Sequence, residues 1–378
     1  MSKKQKRPSI SKETILKLWA LAAGRCEFLG CNKPLWRDGL TWQEANLAHI
    51  AHIIAASPDG PRGNKELSKK LAKDFSNLIL VCLEHHKLID TKKYEKKYTV
   101  DLLRGYKETH ERRVHIQTST KEEMKTTILI FKAKIGDRMV DIPYVHTVEA
   151  IAPRFPANEK AITLDYTNFD TSTKKEYWQQ LNSQIKRDIE LHFKKPCSIT
   201  HLSIFAIGPI PLLMYLGKCI GNIIPADLYQ RHRDTQNWTW KADKGNRQFR
   251  YIIKSHSTNC RSKKITLVLS LSGKIHPQEI EKIVSHGTPY YEVTIKNPSP
   301  LFLNSRDKLV QFQRVYRGLI TKIRQRHGAE CQINLFPAVP APIAVSCGKE
   351  LLPKVDPVIS VYDRVDDKQG FKYALKLN

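Results

Sequence analysis

The sequence predicts a small α+β unit over residues 1–118, a linker over 119–126, and a larger α/β unit over 127–378 made of two repeated halves, about 127–255 and 256–378. Three observations carry that expectation. At 378 residues the chain exceeds the usual size of one domain. The polar stretch "QTSTKEEMKT" at 117–126 separates a cysteine- and histidine-bearing part from one in which strands and helices alternate. Within the second part, Phe205, Pro209, Pro211, Gly217 and Lys218 recur at one offset as Phe336, Pro340, Pro342, Gly348 and Lys349, five identities in fourteen positions without a gap. A duplicated strand-to-helix unit accounts for that pattern.

Taken in order, "SKETILKLWALAAG" (11–24) reads as a helix. Ser11 is a capping residue, Glu13 stands in the first turn, the apolar residues fall three and four apart, and Gly24 is a stop. "LAHIAHIIAA" is β-favouring and leads into the turn "SPDGPRGN". A polar helix follows at 65–75, then the strand "NLILVC", which runs into the helix begun by "HHKLID". Helical sequence from Thr99 to Thr118 closes the unit.

After the linker, "TTILIFKA" and "AITLDY" read as strands, 173–194 as a helix, and "THLSIFAIGPIPLLMYLGKCI" as a strand turning into a helix. The pattern restarts with "KITLVLSLSG" (264–273), a helix over 305–327, and "CQINLFPAVPAPIAVSCGKEL". Two such turns related by duplication would set their helix starts side by side at the carboxyl ends of the strands. That is where anions and nucleotides bind in open α/β sheets, so the repeat predicts a two-lobed site for a ligand with two phosphates.

Lys plus Arg total 63 against 37 Asp plus Glu, a formal charge of +26. The excess is shared: 25 basic and 15 acidic residues in 1–125, 38 and 22 in the remainder. A nucleic acid or nucleotide partner is favoured over an acidic protein, the alternative being a merely solvated surface. "MSKKQKRPSI" has no apolar run behind its basic cluster, and the apolar stretch 202–221 is broken by Pro209, Pro211 and glycines. Neither a secretory signal nor a membrane span is expected, and the protein is expected to be cytoplasmic. In that compartment the eight cysteines should be thiols or metal ligands.

Cys26 and Cys31 bracket the tight turn "CEFLGC", and Cys82 and His85 form a second close pair downstream. Two such pairs are the pattern of a structural tetrahedral zinc, although the first gap is wider than the usual two residues. Buried thiols beside a surface histidine are the alternative. If His85 faces the zinc, His86 points elsewhere, and Asp90, four residues on, shares its face. Such a pair can hold one divalent ion.

"AHIIAASPDGPRG" with "NLILVC" and "HH" resembles the HNH endonuclease family, whose ββα-metal site runs from a strand histidine through an asparagine to a helix histidine. The resemblance covers about residues 20–95 and implies His52, Asn77 and His86 as the catalytic set. It implies that His52 is the general base, that Asn77 orients the loop carrying it, and that His86 and Asp90 hold Mg2+ or Mn2+. It also implies that the Cys26, Cys31, Cys82 and His85 set is a zinc knuckle. One departure stands out: the position before the base, a metal ligand in many members, is Ala51. His49 is a substitute ligand, with a buried structural imidazole or the base itself as its other readings.

"LSIFAIGPIPLLMYLGK" and "LSLSGKI" are similar to a SAVED domain, a sensor that fuses two CARF-like halves. That resemblance covers about residues 127–378. It implies a cyclic dinucleotide from a partner synthase as activator, ligand-induced homo-oligomerisation from dimer to tetramer or higher, and non-specific degradation of double-stranded DNA in bacterial antiphage defence (cyclic-oligonucleotide-based signalling, CBASS). The turn residues Gly208, Pro209, Pro211, Ser272, Gly273 and Lys274, with Pro340 and Pro342 by the repeat, are the expected ligand contacts. Arg231 and His232 join them, and Trp178, Trp238 or Trp240 could stack on a base, a core role being the alternative. Two other functions compete: a zinc-stabilised DNA-binding regulator without nuclease activity, and a sensor that degrades its own nucleotide.

Overall fold

The computed structural model describes residues 9–119, 121–136, 140–169, 175–193, 199–242, 249–256, 262–285, 287–366 and 370–378. The chain divides into two compact units, Met1–Lys121 and Glu122–Asn378.

In the first unit, helix α1 (Lys12–Leu21) is capped by the Ser11 side chain, which accepts from Thr14 N. The chain then turns through Gly24, at φ +63°, into the cysteine turn. Strands β1 (Ala48–His52) and β2 (Leu78–Cys82) pair antiparallel, with α2 (Leu67–Leu71) between them in sequence. The polar helix expected over 65–75 is therefore cut short. Asp74 accepts from Ser76 N and Ser76 Oγ, and that local capture turns the chain into a 3-10 turn before β2. Helix α3 (Leu83–Asp90) starts at the residue after β2, and α4 (Val100–Thr118) starts at its Thr99 cap. Strand β2 is buried at every position and forms the unit's core with Ala51, Ile53, Ile89 and Leu103.

The second unit runs β3 (Lys125–Ala133), α5 (Tyr144–Ala150), β4 (Phe155–Pro156), β5 (Ile162–Tyr166), α6 (Lys175–Phe193), β6 (Leu202–Ile207), α7 (Ile210–Ile220) and β7 (Ala226–Tyr229). It continues with β8 (Ile252–His256), β9 (Lys264–Ser270), β10 (Tyr290–Thr294), α8 (Arg306–His327), β11 (Gln332–Ala338), α9 (Ala341–Lys349), β12 (Val358–Asp366) and β13 (Gly370–Leu377). Strands β5, β3, β6 and β7 lie side by side and parallel, with β4 on the same edge of β3 as β5. Strands β10, β9, β11 and β12 repeat that parallel order, and antiparallel β8 and β13 close the edges of the second sheet.

The halves thus share one topology, with α6 and α8, then α7 and α9, in equivalent places. All four helices share a single core with one face of each sheet. Burial on both faces is why β6, β9 and β11 read as continuous apolar runs.

Gly217 and Gly348 explain why the repeat keeps those glycines. A Cβ on Gly217 would lie 1.9 Å from Val345 O, and one on Gly348 would lie 1.8 Å from Met214 O. Helices α7 and α9 therefore touch backbone to backbone, reciprocally, seven residues beyond each helix start. Among the described residues no helix is long and apolar enough to cross a membrane.

Candidate active site and ligand pocket

Strand β2 ends at Cys82 and α3 follows without a spacer, so Cys82, His85 and His86 fall within one turn. Across from them the turn after α1 carries Cys26 and Cys31, held by bonds from Cys26 N to Lys33 O and from Cys31 N to Phe28 O. The ligand atoms of Cys26, Cys31, Cys82 and His85 all lie within 4.8 Å of one another. His85 Nδ1 is 3.1 Å from Cys82 Sγ and 3.6 Å from Cys26 Sγ. A zinc tetrahedron of sulfur and nitrogen has edges of roughly 3.5–3.8 Å, so these atoms stand near its corners. Burial pushes the Cys26 and Cys82 thiols up and the His85 imidazole down. Sulfur in such a place becomes a thiolate when a cation neutralises it. Phe28 stacks on the His85 ring, centroids 3.9 Å apart, and fixes its plane. This donor set fits zinc.

At the other end of β1, His52 Nε2 lies 3.0 Å from the carbonyl oxygen of Ala72. A carbonyl only accepts, so Nε2 carries the hydrogen and Nδ1 is left as the basic nitrogen. The Asn77 side chain is fully buried. Its Oδ1 accepts from Ile54 N at 2.8 Å, and its Nδ2 donates to Ile54 O at 2.9 Å and Leu71 O at 3.2 Å. The carboxamide extends the hairpin's bonding past the end of β1 and fixes the backbone behind His52.

On α3, His86 Nε2 is 3.6 Å from Asp90 Oδ2, and the His49 ring centroid is 5.1 Å from that of His86. Ala51, on the same face of β1 as His49, is buried and offers no donor. His49 thus stands beside the helix-borne pair while His52 engages Ala72. Among the described residues these three do not form as tight a cluster as the cysteine set. The carboxylate suits a hard divalent ion, while the two imidazoles also accept a borderline one. The sequence reading missed Arg62, whose guanidinium is buried between the end of β1 and the end of α3. Its only sequence signal is a charged residue inside the turn "PDGPRG".

In the second unit several expected contacts prove to be packing residues. A Cβ on Gly208 would lie 3.1 Å from Phe131 Cε1 and 3.2 Å from Ala133 Cβ, so this glycine lets β6 approach β3. Pro209 and Pro340 cap α7 and α9, and Pro211 and Pro342 are buried in their first turns. The Ser272 amide already donates to Ala338 O at 2.7 Å and is not offered to a phosphate. Trp178, at 5% exposed, is a core residue, which corrects its expected stacking role, and Trp238 at 2% is another. Gly273 has open space above it and Lys274 is exposed.

Arg231 and His232 do meet at a cavity. It measures about 220 Å³ at the carboxyl end of β7 and is also lined by Arg233, Lys241, Asp234 and Asn304. Three cations face one carboxylate, and that carboxylate pairs with Lys241. His232 is 5% exposed, burial and then Lys241 push its pKa down, and its Nε2 has no hydrogen-bond partner among the described residues. Such a pocket suits an anion that also brings a hydrogen-bond donor, as a nucleotide does. Arg233 and Lys241 escaped the sequence reading, although "RHRDTQNWTWK" is dense in basic and aromatic residues.

The family model of the SMODS-associated and fused to various effectors sensor domain, SAVED, matches residues 179–377. The chain belongs to the SAVED family. Solved structures similar to it include the Acinetobacter baumannii Cap4 SAVED/CARF-domain containing receptor with the cyclic trinucleotide 2'3'3'-cAAA, at 12% identity and a TM-score of 0.45, covering 83% of this chain and 67% of that one. The Moraxella osloensis Cap4 receptor is also 12% identical, with a TM-score of 0.42, covering 76% of this chain and 60% of that one. No curated protein matches the chain. The SAVED match lies within the second unit, where both halves of the repeat and the cationic cavity fall.

Proposed function

We propose that this SAVED chain is an effector of bacterial antiphage signalling whose first unit is an HNH-type, metal-dependent endonuclease, switched on when the second unit binds a cyclic dinucleotide. The observation that carries the nuclease reading is the grouping of His52, Asn77, His49, His86 and Asp90 on one β-hairpin and the helix that follows it, braced by a cysteine and histidine cluster. His52 Nδ1, with its partner nitrogen committed to Ala72 O, takes the proton from a water that attacks a phosphodiester. Asn77 holds that imidazole in place through the Ile54 backbone. A divalent ion such as Mg2+ or Mn2+, held by His86 and Asp90 with His49 beside them, would offset charge on the scissile phosphate and the leaving oxygen.

The net charge of +26 supports a DNA substrate read through its backbone without base contacts. The cationic cavity and the family's sensor role support the ligand half. Ligand binding would act by favouring an assembled form, dimer to tetramer or higher, over the idle one. The test is light scattering of the purified chain with cyclic di- and trinucleotides, with each ligand's recovery measured. A ligand that enlarges the particle and is recovered intact supports a sensor, whereas a consumed ligand would favour a degrading enzyme.

A further inference from the structure

Arg62 follows β1 by ten residues, is 8% exposed, and stands at φ +55°, a left-handed conformation that costs a non-glycine residue energy. The turn is built to hold it there. A Cβ on Gly63 would lie 2.2 Å from Pro58 O and one on Gly60 2.6 Å from Ala55 Cβ, while the Arg62 amide donates to the Glu95 carboxylate. From that perch Nε donates to Ile53 O at 2.6 Å, Nη2 to His52 O at 3.3 Å, and Nη1 to Ile89 O at 2.7 Å. Nη2 also stands 4.0 Å from Asp90 Oδ1.

Together with Asn77, whose backbone carbonyl accepts from Ile53 N, these bonds occupy every backbone polar group from His52 O to Ile54 O. The same guanidinium grips the last turn of α3, where a cation also suits the helix dipole. We propose that Arg62 is a positioning residue for the nuclease. It ties the strand bearing the proposed base to the helix bearing the proposed ion ligands, sets their separation, and aims the Asp90 carboxylate. The proposal rests on the nuclease reading.

The test compares wild type with Arg62→Ala and Arg62→Lys in the full chain. Zinc content and circular dichroism report the fold, Mn2+ titration followed by electron paramagnetic resonance reports ion binding without any activator, and plasmid cleavage is assayed with cyclic di-AMP, cyclic di-GMP and cyclic GMP-AMP in turn. Arg62→Ala is expected to keep its zinc, bind Mn2+ about 10- to 100-fold more weakly, and cleave on the order of 100-fold more slowly. Arg62→Lys, which keeps the charge without the fork, should recover little. Guanidinium ion added to Arg62→Ala should restore cleavage, and should not do so for His52→Ala. A merely structural arginine would lower the melting temperature with Mn2+ affinity unchanged and no rescue.

If Arg62→Ala does not fold, Arg62→Lys carries the comparison. Folded variants that bind Mn2+ and cut like wild type overturn the proposal and leave the nuclease standing. A wild type that neither binds Mn2+ nor cuts under any of the three ligands removes the nuclease reading, and the proposal with it.

Discussion

His52 ends its strand with one nitrogen already committed, and that commitment gives the imidazole a direction. His52→Ala should reduce cleavage by about 10²–10⁴-fold while zinc content and nucleotide binding stay at wild-type levels. Asn77→Ala acts through stability instead. It strands Ile54 N and Ile54 O in a buried place, at about 1–3 kcal/mol for a lost partner, and a denaturant titration should show that loss beside slower cleavage. His110 adds a pH dependence. Its Nε2 donates to Ala22 O at 3.0 Å and its Nδ1 accepts from Arg113 at 3.2 Å, which only the neutral ring can do. Burial accordingly holds its pKa below the ordinary 6.5. As pH falls through that ordinary value the unfolded chain takes up a proton that the folded chain refuses, so folding stability drops. His110→Gln should flatten this slope relative to wild type in denaturant titrations across pH 5–8. The proposed catalytic and zinc residues stood out in the sequence because each set sits in short, regularly spaced runs. Arg62 did not, because its guanidinium bonds to the backbone carbonyls of Ile53, His52 and Ile89, 9, 10 and 27 residues away, which carry no sequence signature.

Two helices define the second unit's centre, and their contact leaves no room for a methyl group. Gly217→Ala or Gly348→Ala would push α7 and α9 apart at the pseudo-symmetric crossing, a strain of about 1–3 kcal/mol that thermal denaturation should register as a lower melting temperature. Gly273→Ala, with no atom within 4 Å of its Cβ position, should leave the melting temperature unchanged. In the first unit zinc held by Cys26, Cys31, Cys82 and His85 would do comparable work for a small core: a chelator should then melt that unit's secondary structure, and added zinc should restore it. Elements with continuous apolar runs or clean caps, such as β2, β6, β9, β11, α1 and α8, were legible in the sequence. Strand β8 was not, because it is an edge strand exposed at every residue and carries neither an apolar run nor an alternation. Strand β7 escaped for a different reason, since four residues are too few for a period. The expected meeting of helix starts gave way to a crossing further along because the glycines, not the prolines, permit close approach.

Across the whole chain a charge of +26 is spread over both parts of the sequence, so attraction to DNA should not depend on one patch. Binding of duplex DNA by the His52→Ala chain should weaken steeply as salt rises, in linear relation on logarithmic axes, and should vary little with sequence. A steep salt response with strong sequence preference would point to a regulator. The measurement that bears most directly on the central claim is cleavage of supercoiled plasmid in Mn2+, with and without a panel of cyclic di- and trinucleotides, by wild type and by His52→Ala. Wild type should cleave only with one of the ligands, and the variant should cleave at least about 100-fold more slowly under every condition. DNA bound but uncut by wild type with every ligand, or equal cleavage by the variant, would contradict that claim.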